Sequence, residues 1–130
     1  MKSRTLLLWP GPIADFTSSD SYYQVPRIVA ARSETVLVRG GGAALPPEFE
    51  GLFAGIISVP ANPVGYGREA YRAARAAHAA VRFDRIVSAF DARAIPTASR
   101  LQGPLQVPWY AVCEDHPFGE RYRGAERDWG

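Results

Sequence analysis

Four apolar runs punctuate the first ninety residues, and each is cut off by turn-forming residues. Thr5-Leu6-Leu7-Leu8-Trp9 stops at Pro10-Gly11-Pro12, and Thr35-Val36-Leu37-Val38-Arg39 stops at three consecutive glycines, Gly40 to Gly42. Gly55-Ile56-Ile57-Ser58-Val59 stops at Pro60, and Asp84-Arg85-Ile86-Val87-Ser88-Ala89-Phe90 stops at Asp91. Short runs rich in β-branched residues and bounded by such punctuation predict strands, and unbroken apolarity predicts strands covered on both faces. A fifth strand is expected over Val107 to Val112.

Helical patterns fill the gaps. Between the first two runs, Thr17 to Asp20 offer N-cap side chains, and Tyr22, Tyr23, Val25, Ile28, Val29 and Ala30 form a candidate inward face. Pro26 interrupts that face, because proline deletes a helix hydrogen bond and crowds the preceding turn. Over Gly67 to Val81 the pattern is cleaner: at 100° per residue Ala70, Ala74, Ala77 and Val81 share one arc, with Arg68, Arg72, Arg75 and Arg82 opposite. His78 borders the apolar arc and is expected to be a packing residue, since no second metal-ligating residue stands at helical spacing. A shorter helix is expected from Ala92 to Leu101, with Pro96 in its first turn, where proline is tolerated. Strands alternating with helices predict an α/β fold: a three-layer, Rossmann-like parallel sheet of four to five strands with helices on both faces.

Composition narrows the class. A chain of 130 residues, 47% hydrophobic and 22% charged, suits one globular domain and not a disordered chain. The expected domain spans residues 1–112, and residues 113–130, rich in charge and glycine, are expected to form a loosely ordered tail. No apolar stretch approaches the length of a membrane span. The run Leu6 to Trp9 falls short of the roughly 7–15 residues of a signal-peptide core, and Cys113 has no partner for an internal disulfide, so a cytoplasmic protein is expected. Net charge is only +2, too little to mark a nucleic-acid binder. Residues 68–100 nevertheless carry seven arginines against three acidic residues, which solvated helix faces in an arginine-rich chain would explain.

Ligands in open α/β sheets gather at the carboxyl ends of the strands, near the point where strand order reverses. Three segments therefore compete for a site: 10–20, 60–66 and 91–97. The first offers Ser18, Ser19 and Asp20 at a predicted helix start, where free N–H groups and the helix dipole favour an anion and where the same residues would also serve as caps. No glycine-rich dinucleotide or P-loop signature is present. Cys113-Glu114-Asp115-His116 sets a thiol beside carboxylates and an imidazole, but sequence neighbours in an extended segment point to opposite faces, so the grouping is read as chance.

From Phe83-Asp84 through the apolar run to Asp91, the alanine-containing segment Ala92 to Leu101, Gly103-Pro104 and Val107-Pro108, the chain resembles the N-terminal, pre-ATP-grasp domain of ATP-grasp carboxylate-amine ligases. The likeness extends over residues 4–108, with the motif-like part confined to 83–108. It implies a Rossmann-like domain of enzymes that activate a carboxylate as an acyl phosphate with ATP and Mg²⁺ and join it to an amine. It places Asp91 at the family's acidic position, so that Asp91, Ser18, Ser19 and Asp20 become the candidate substrate-binding residues. The catalytic lysines and magnesium-binding acids of that family belong to later domains, and the one lysine of this chain, Lys2, precedes the first strand. The expectation is a module with no catalytic residue and no cofactor of its own, taking ATP and Mg²⁺ only when an ATP-grasp core is supplied by another chain. A homo-oligomer, or a small Rossmann-like ligand-binding or interaction module without a ligase partner, is the alternative; neither nucleic acid nor a membrane is expected as a partner.

Overall fold

The computed structural model describes residues 3–11, 13, 21–42 and 44–112. Five strands and three α-helices alternate along them: β1 Arg4–Leu8, α1 Ser21–Arg32, β2 Glu34–Gly40, β3 Gly55–Val59, α2 Pro63–Ala80, β4 Arg85–Ala89, α3 Ala94–Leu105 and β5 Trp109–Val112. A 3-10 turn, Pro47–Phe49, lies between β2 and β3. All four strand pairings are parallel, in the order β3-β2-β1-β4-β5. This is the expected Rossmann-like α/β sheet. Right-handed crossovers put α1 on one face and α2 with α3 on the other, and α2 packs directly on α3.

The central strand explains why its sequence is unbroken leucine. β1 pairs on both edges, Leu7 facing Leu37 on one side and Val87 on the other, and Leu6, Leu7, Leu8 and Trp9 are fully buried. The third run departs from the expectation of a fully covered strand. β3 is an edge strand, and Ile56 is 46% exposed, because β3 has a partner on one side only. Phe49, in the connection that reads as a plain Gly/Pro-rich linker, is buried against Tyr23 of α1 at 5.4 Å between ring centroids. Tyr23 also donates its hydroxyl proton to Glu48, which holds that carboxyl below the usual carboxylate range.

Two helices differ in their bounds from the sequence reading. α2 begins a turn early, at Pro63, because Asn62 caps it: the Asn62 side chain accepts from Gly65 N–H at 2.7 Å and Pro63 occupies the first turn. At its other end Val81 lies beyond the helix and is 53% exposed, not part of the inner arc that Tyr66, Ala70 and Ala74 form. α3 starts at Ala94 and continues through Gly103-Pro104 to Leu105, since Leu101 and Leu105 bury together one turn apart. Gln106 then adopts left-handed backbone, φ 54°, and donates its N–H to the carbonyls of Gln102 and Gly103. In α1, Pro26 lies inside the helix, and Ile28 is exposed whereas Tyr23 and Ala30 are buried.

The Phe83-Asp84 pair sits at the amino edge of the sheet. Phe83 is buried, and Asp84 clasps the start of β1 by accepting from Arg4 N–H and donating its own N–H to the Arg4 carbonyl, both at 2.7 Å. His78 holds the preceding turn: its Nδ1 accepts from Phe83 N–H at 3.0 Å, with the two rings stacked. Partial burial, and secondarily the charge of Arg82, lower the His78 pKa from its ordinary 6.5. The folded chain thus binds this proton less readily than the unfolded chain. The contribution is complete above pH 6.5 and declines as pH falls from there through the lower folded-state value. Urea titrations from about pH 7.5 to about pH 5.5 should show that decline flattened in His78→Asn, which keeps an acceptor but does not titrate; an equal slope in both proteins would contradict it.

No helix among the described residues is long and apolar enough to cross a membrane.

Candidate functional site

The order β3-β2-β1-β4-β5 reverses direction between β1 and β4. Their carboxyl ends, Trp9 to Gly11 and Phe90 to Arg93, flank the crevice where such sheets take ligands. The ends of β2 and β3 close in from the side. Gly40 donates its N–H to the Pro10 carbonyl at 3.2 Å, and Gly41 donates to the Val59 carbonyl at 2.7 Å. The glycine triplet is therefore part of a tight junction, with Gly41 in the left-handed region at φ 81°.

Asp91 stands where the sequence placed it, two residues past β4, and its carboxylate has structural duties. One oxygen, Oδ1, accepts from Arg93 N–H and Ala94 N–H, both at 2.8 Å. The other, Oδ2, accepts from Arg93 Nη2 at 3.1 Å. Asp91 thereby caps α3, and its negative charge meets the positive end of that helix. With its side chain 17% exposed, one lone-pair direction of Oδ2 remains for another donor. Ser18, Ser19 and Asp20 lie outside the described residues, as do the Cys113 to His116 grouping and the rest of the tail 113–130.

Two residues that the sequence reading did not single out complete the crevice. Arg93, besides binding Asp91, donates from Nη1 to the Ala61 carbonyl at 3.2 Å, tying the β4 end to the β3 end. Tyr66, on the first turns of α2, is fully buried and donates its hydroxyl proton to the Val38 carbonyl at 2.8 Å. Burial first, then the negative charge of Asp91, push the Tyr66 pKa far above the ordinary tyrosine value, with Arg93 opposing. The phenol is a fixed hydrogen-bond donor at neutral pH and not an acid-base group. A signal for Arg93 was present, since Asp-x-Arg-Ala at a helix start is a capping arrangement, but nothing in the sequence shows that its guanidinium reaches Ala61.

The edge is thus a set of backbone carbonyls and N–H groups locked by Asp91, Arg93, Tyr66 and Gly40. Among the described residues no three His, Cys, Asp or Glu side chains cluster in a metal-binding arrangement. Chemically, this arrangement can form the rigid wall of a pocket and orient a ligand through main-chain groups. Comparison of the chain with protein-family profiles, curated proteins and solved structures gives no match.

Proposed function

We propose that this chain is a Rossmann-like module of the pre-ATP-grasp type, which contributes a wall of the acceptor or nucleotide pocket to a carboxylate-amine ligase and has no ligase activity by itself. One observation carries the reading. Residues 83–108, where the likeness to ATP-grasp ligases is motif-like, make a β4–α3 unit that leads into β5, and Asp91, between β4 and α3, lies at the switch point. The chemistry of the crevice agrees with a supporting role. Phosphoryl activation draws on positively charged phosphate clamps and acidic metal ligands, and the crevice residues Asp91 and Arg93 neutralise one another.

The test is co-expression of this chain with the products of its flanking coding sequence, followed by measurement of ADP release with Mg-ATP and a pool of amino acids as carboxylate and amine donors. A flanking product with an ATP-grasp core should co-purify with the chain, and ADP release should require both. Flanking sequence without such a core, or a core fully active without this chain, overturns the reading.

A further inference from the structure

The arginines of residues 68–100 do not all behave as a solvated face. Arg68, Arg72 and Arg75 on α2 and Arg100 on α3 line one groove of about 620 Å³ between the two helices, floored by Tyr71 and rimmed by Val64. Of the four, Arg72 pairs with Glu69 at 3.5 Å. Arg68, Arg75 and Arg100 have no ion-pair partner among the described residues. Like charges on neighbouring helices repel, so three uncompensated guanidiniums on one concavity cost stability unless something offsets them.

Tyr71 provides part of that offset and fixes the geometry. The guanidinium of Arg100 lies 4.5 Å from the Tyr71 ring centroid and that of Arg75 lies 5.6 Å from it. Cation–π contact holds both forks beside the groove while leaving N–H donors free for an anion. Because the ring is already engaged by two cations, Tyr71 is a positioning residue and not a platform for a base.

We infer that this groove binds a compact, multiply charged phosphoryl anion, the three unpaired guanidiniums converging from α2 and α3 to donate to its oxygens. Planar forks suit phosphoryl oxygens. The groove has ample room for a di- or triphosphate group. A long polyanion fits less well, since the whole chain carries a net charge of only +2. The groove shares no lining residue with Gly40, Tyr66, Asp91 and Arg93 of the strand-end crevice, and the inference does not rest on the ligase reading.

Calorimetric titration of the full chain with inorganic tripolyphosphate tests it, with ATP and a single-stranded oligonucleotide as parallel arms. Tripolyphosphate should bind, and more weakly as salt is raised. Arg75→Gln with Arg100→Gln should weaken it about tenfold or more. Arg32→Gln with Arg82→Gln, which removes the same charge from exposed positions elsewhere, should change it less than about twofold. Tyr71→Leu should weaken binding, and Tyr71→Phe, which keeps the π face, should restore it. Circular dichroism of each variant checks that the helices are intact. Equal losses from the two arginine pairs, no binding of tripolyphosphate, or an oligonucleotide that binds more tightly with increasing length would each overturn the inference. ATP binding as tightly as tripolyphosphate places recognition on the phosphates; binding of ATP alone would overturn it.

Discussion

Gly40→Ala is expected to lower stability by about 1–3 kcal/mol, a large share of the roughly 5–15 kcal/mol available to a domain of this kind. A Cβ at this position would lie 2.8 Å from the Pro10 carbonyl oxygen and 3.1 Å from Ala61 Cα. Both neighbours are backbone atoms at the ends of packed strands, so neither can swing aside as a side chain would. Accommodation requires the ends of β1, β2 and β3 to separate, which also breaks the Gly40 N–H bond to Pro10. Gly42→Ala supplies the contrast, since a Cβ there meets nothing within 4 Å and its φ is not in the left-handed region. That substitution should be neutral, or stabilising by about 0.4–1 kcal/mol through the unfolded chain. Urea denaturation of the two variants beside the parent measures the difference, and equal midpoints would refute the close approach.

The second large effect is at Asp91. Alanine there removes three hydrogen bonds, two of them from the N–H groups of Arg93 and Ala94 at the entry to α3, and the loss of an aspartate cap costs about 0.5–2 kcal/mol. Release of Arg93 adds to that, because the same guanidinium holds the Ala61 carbonyl across the crevice. A total of about 2 kcal/mol is expected for Asp91→Ala. Asparagine caps as well as aspartate, so Asp91→Asn should retain most of the stability while removing the charge. The pair separates two roles. In the co-expression test of the proposed function, Asp91→Asn asks whether the Asp91 charge matters while α3 is still capped. If Asp91→Asn unfolds as easily as Asp91→Ala, the hydrogen-bond account of the cap fails.

The sheet was legible because its strands are nearly continuous apolar runs with abrupt stops, and burial on both faces leaves that imprint on β1 and β4. β3 carries a similar run without similar cover, since strand order, and hence which strand lies at an edge, is not written in local composition. The amino-terminal turn of α2 was obscured by Gly65 and Gly67, which suggest a loop. In the structure a Cβ on Gly65 would meet Pro60 and the capping Asn62 side chain at 2.7–3.0 Å, while Gly67 faces Thr97 of α3. Gly65 thus reflects close packing and not flexibility, whereas at Gly67 a Cβ would make only ordinary contact, 3.8 Å from Thr97 Oγ1. The arginine cluster was visible as a charge count, but its convergence depends on Arg100 of α3 meeting Tyr71 of α2, residues from separate helices whose adjacency only the packed structure reveals. Asp91 stood out as an acidic residue at a strand end before a helix; that it also holds the Arg93 guanidinium, which in turn reaches Ala61, was not readable from its neighbours.

The place of β1 at the middle of the sheet also bears on the order in which the molecule can assemble during synthesis. Its first partner, β2, follows within forty residues, whereas its second, β4, is complete only at residue 89. At the usual elongation of about 5–20 residues per second, one side of the most apolar strand waits roughly 4–16 s for its neighbour. The crevice at the switch point, with Arg93 spanning it, is therefore among the last features to form as the chain emerges. A nascent chain halted before β4 would present the open edge of Leu6, Leu7 and Leu8 to chaperones or to aggregation.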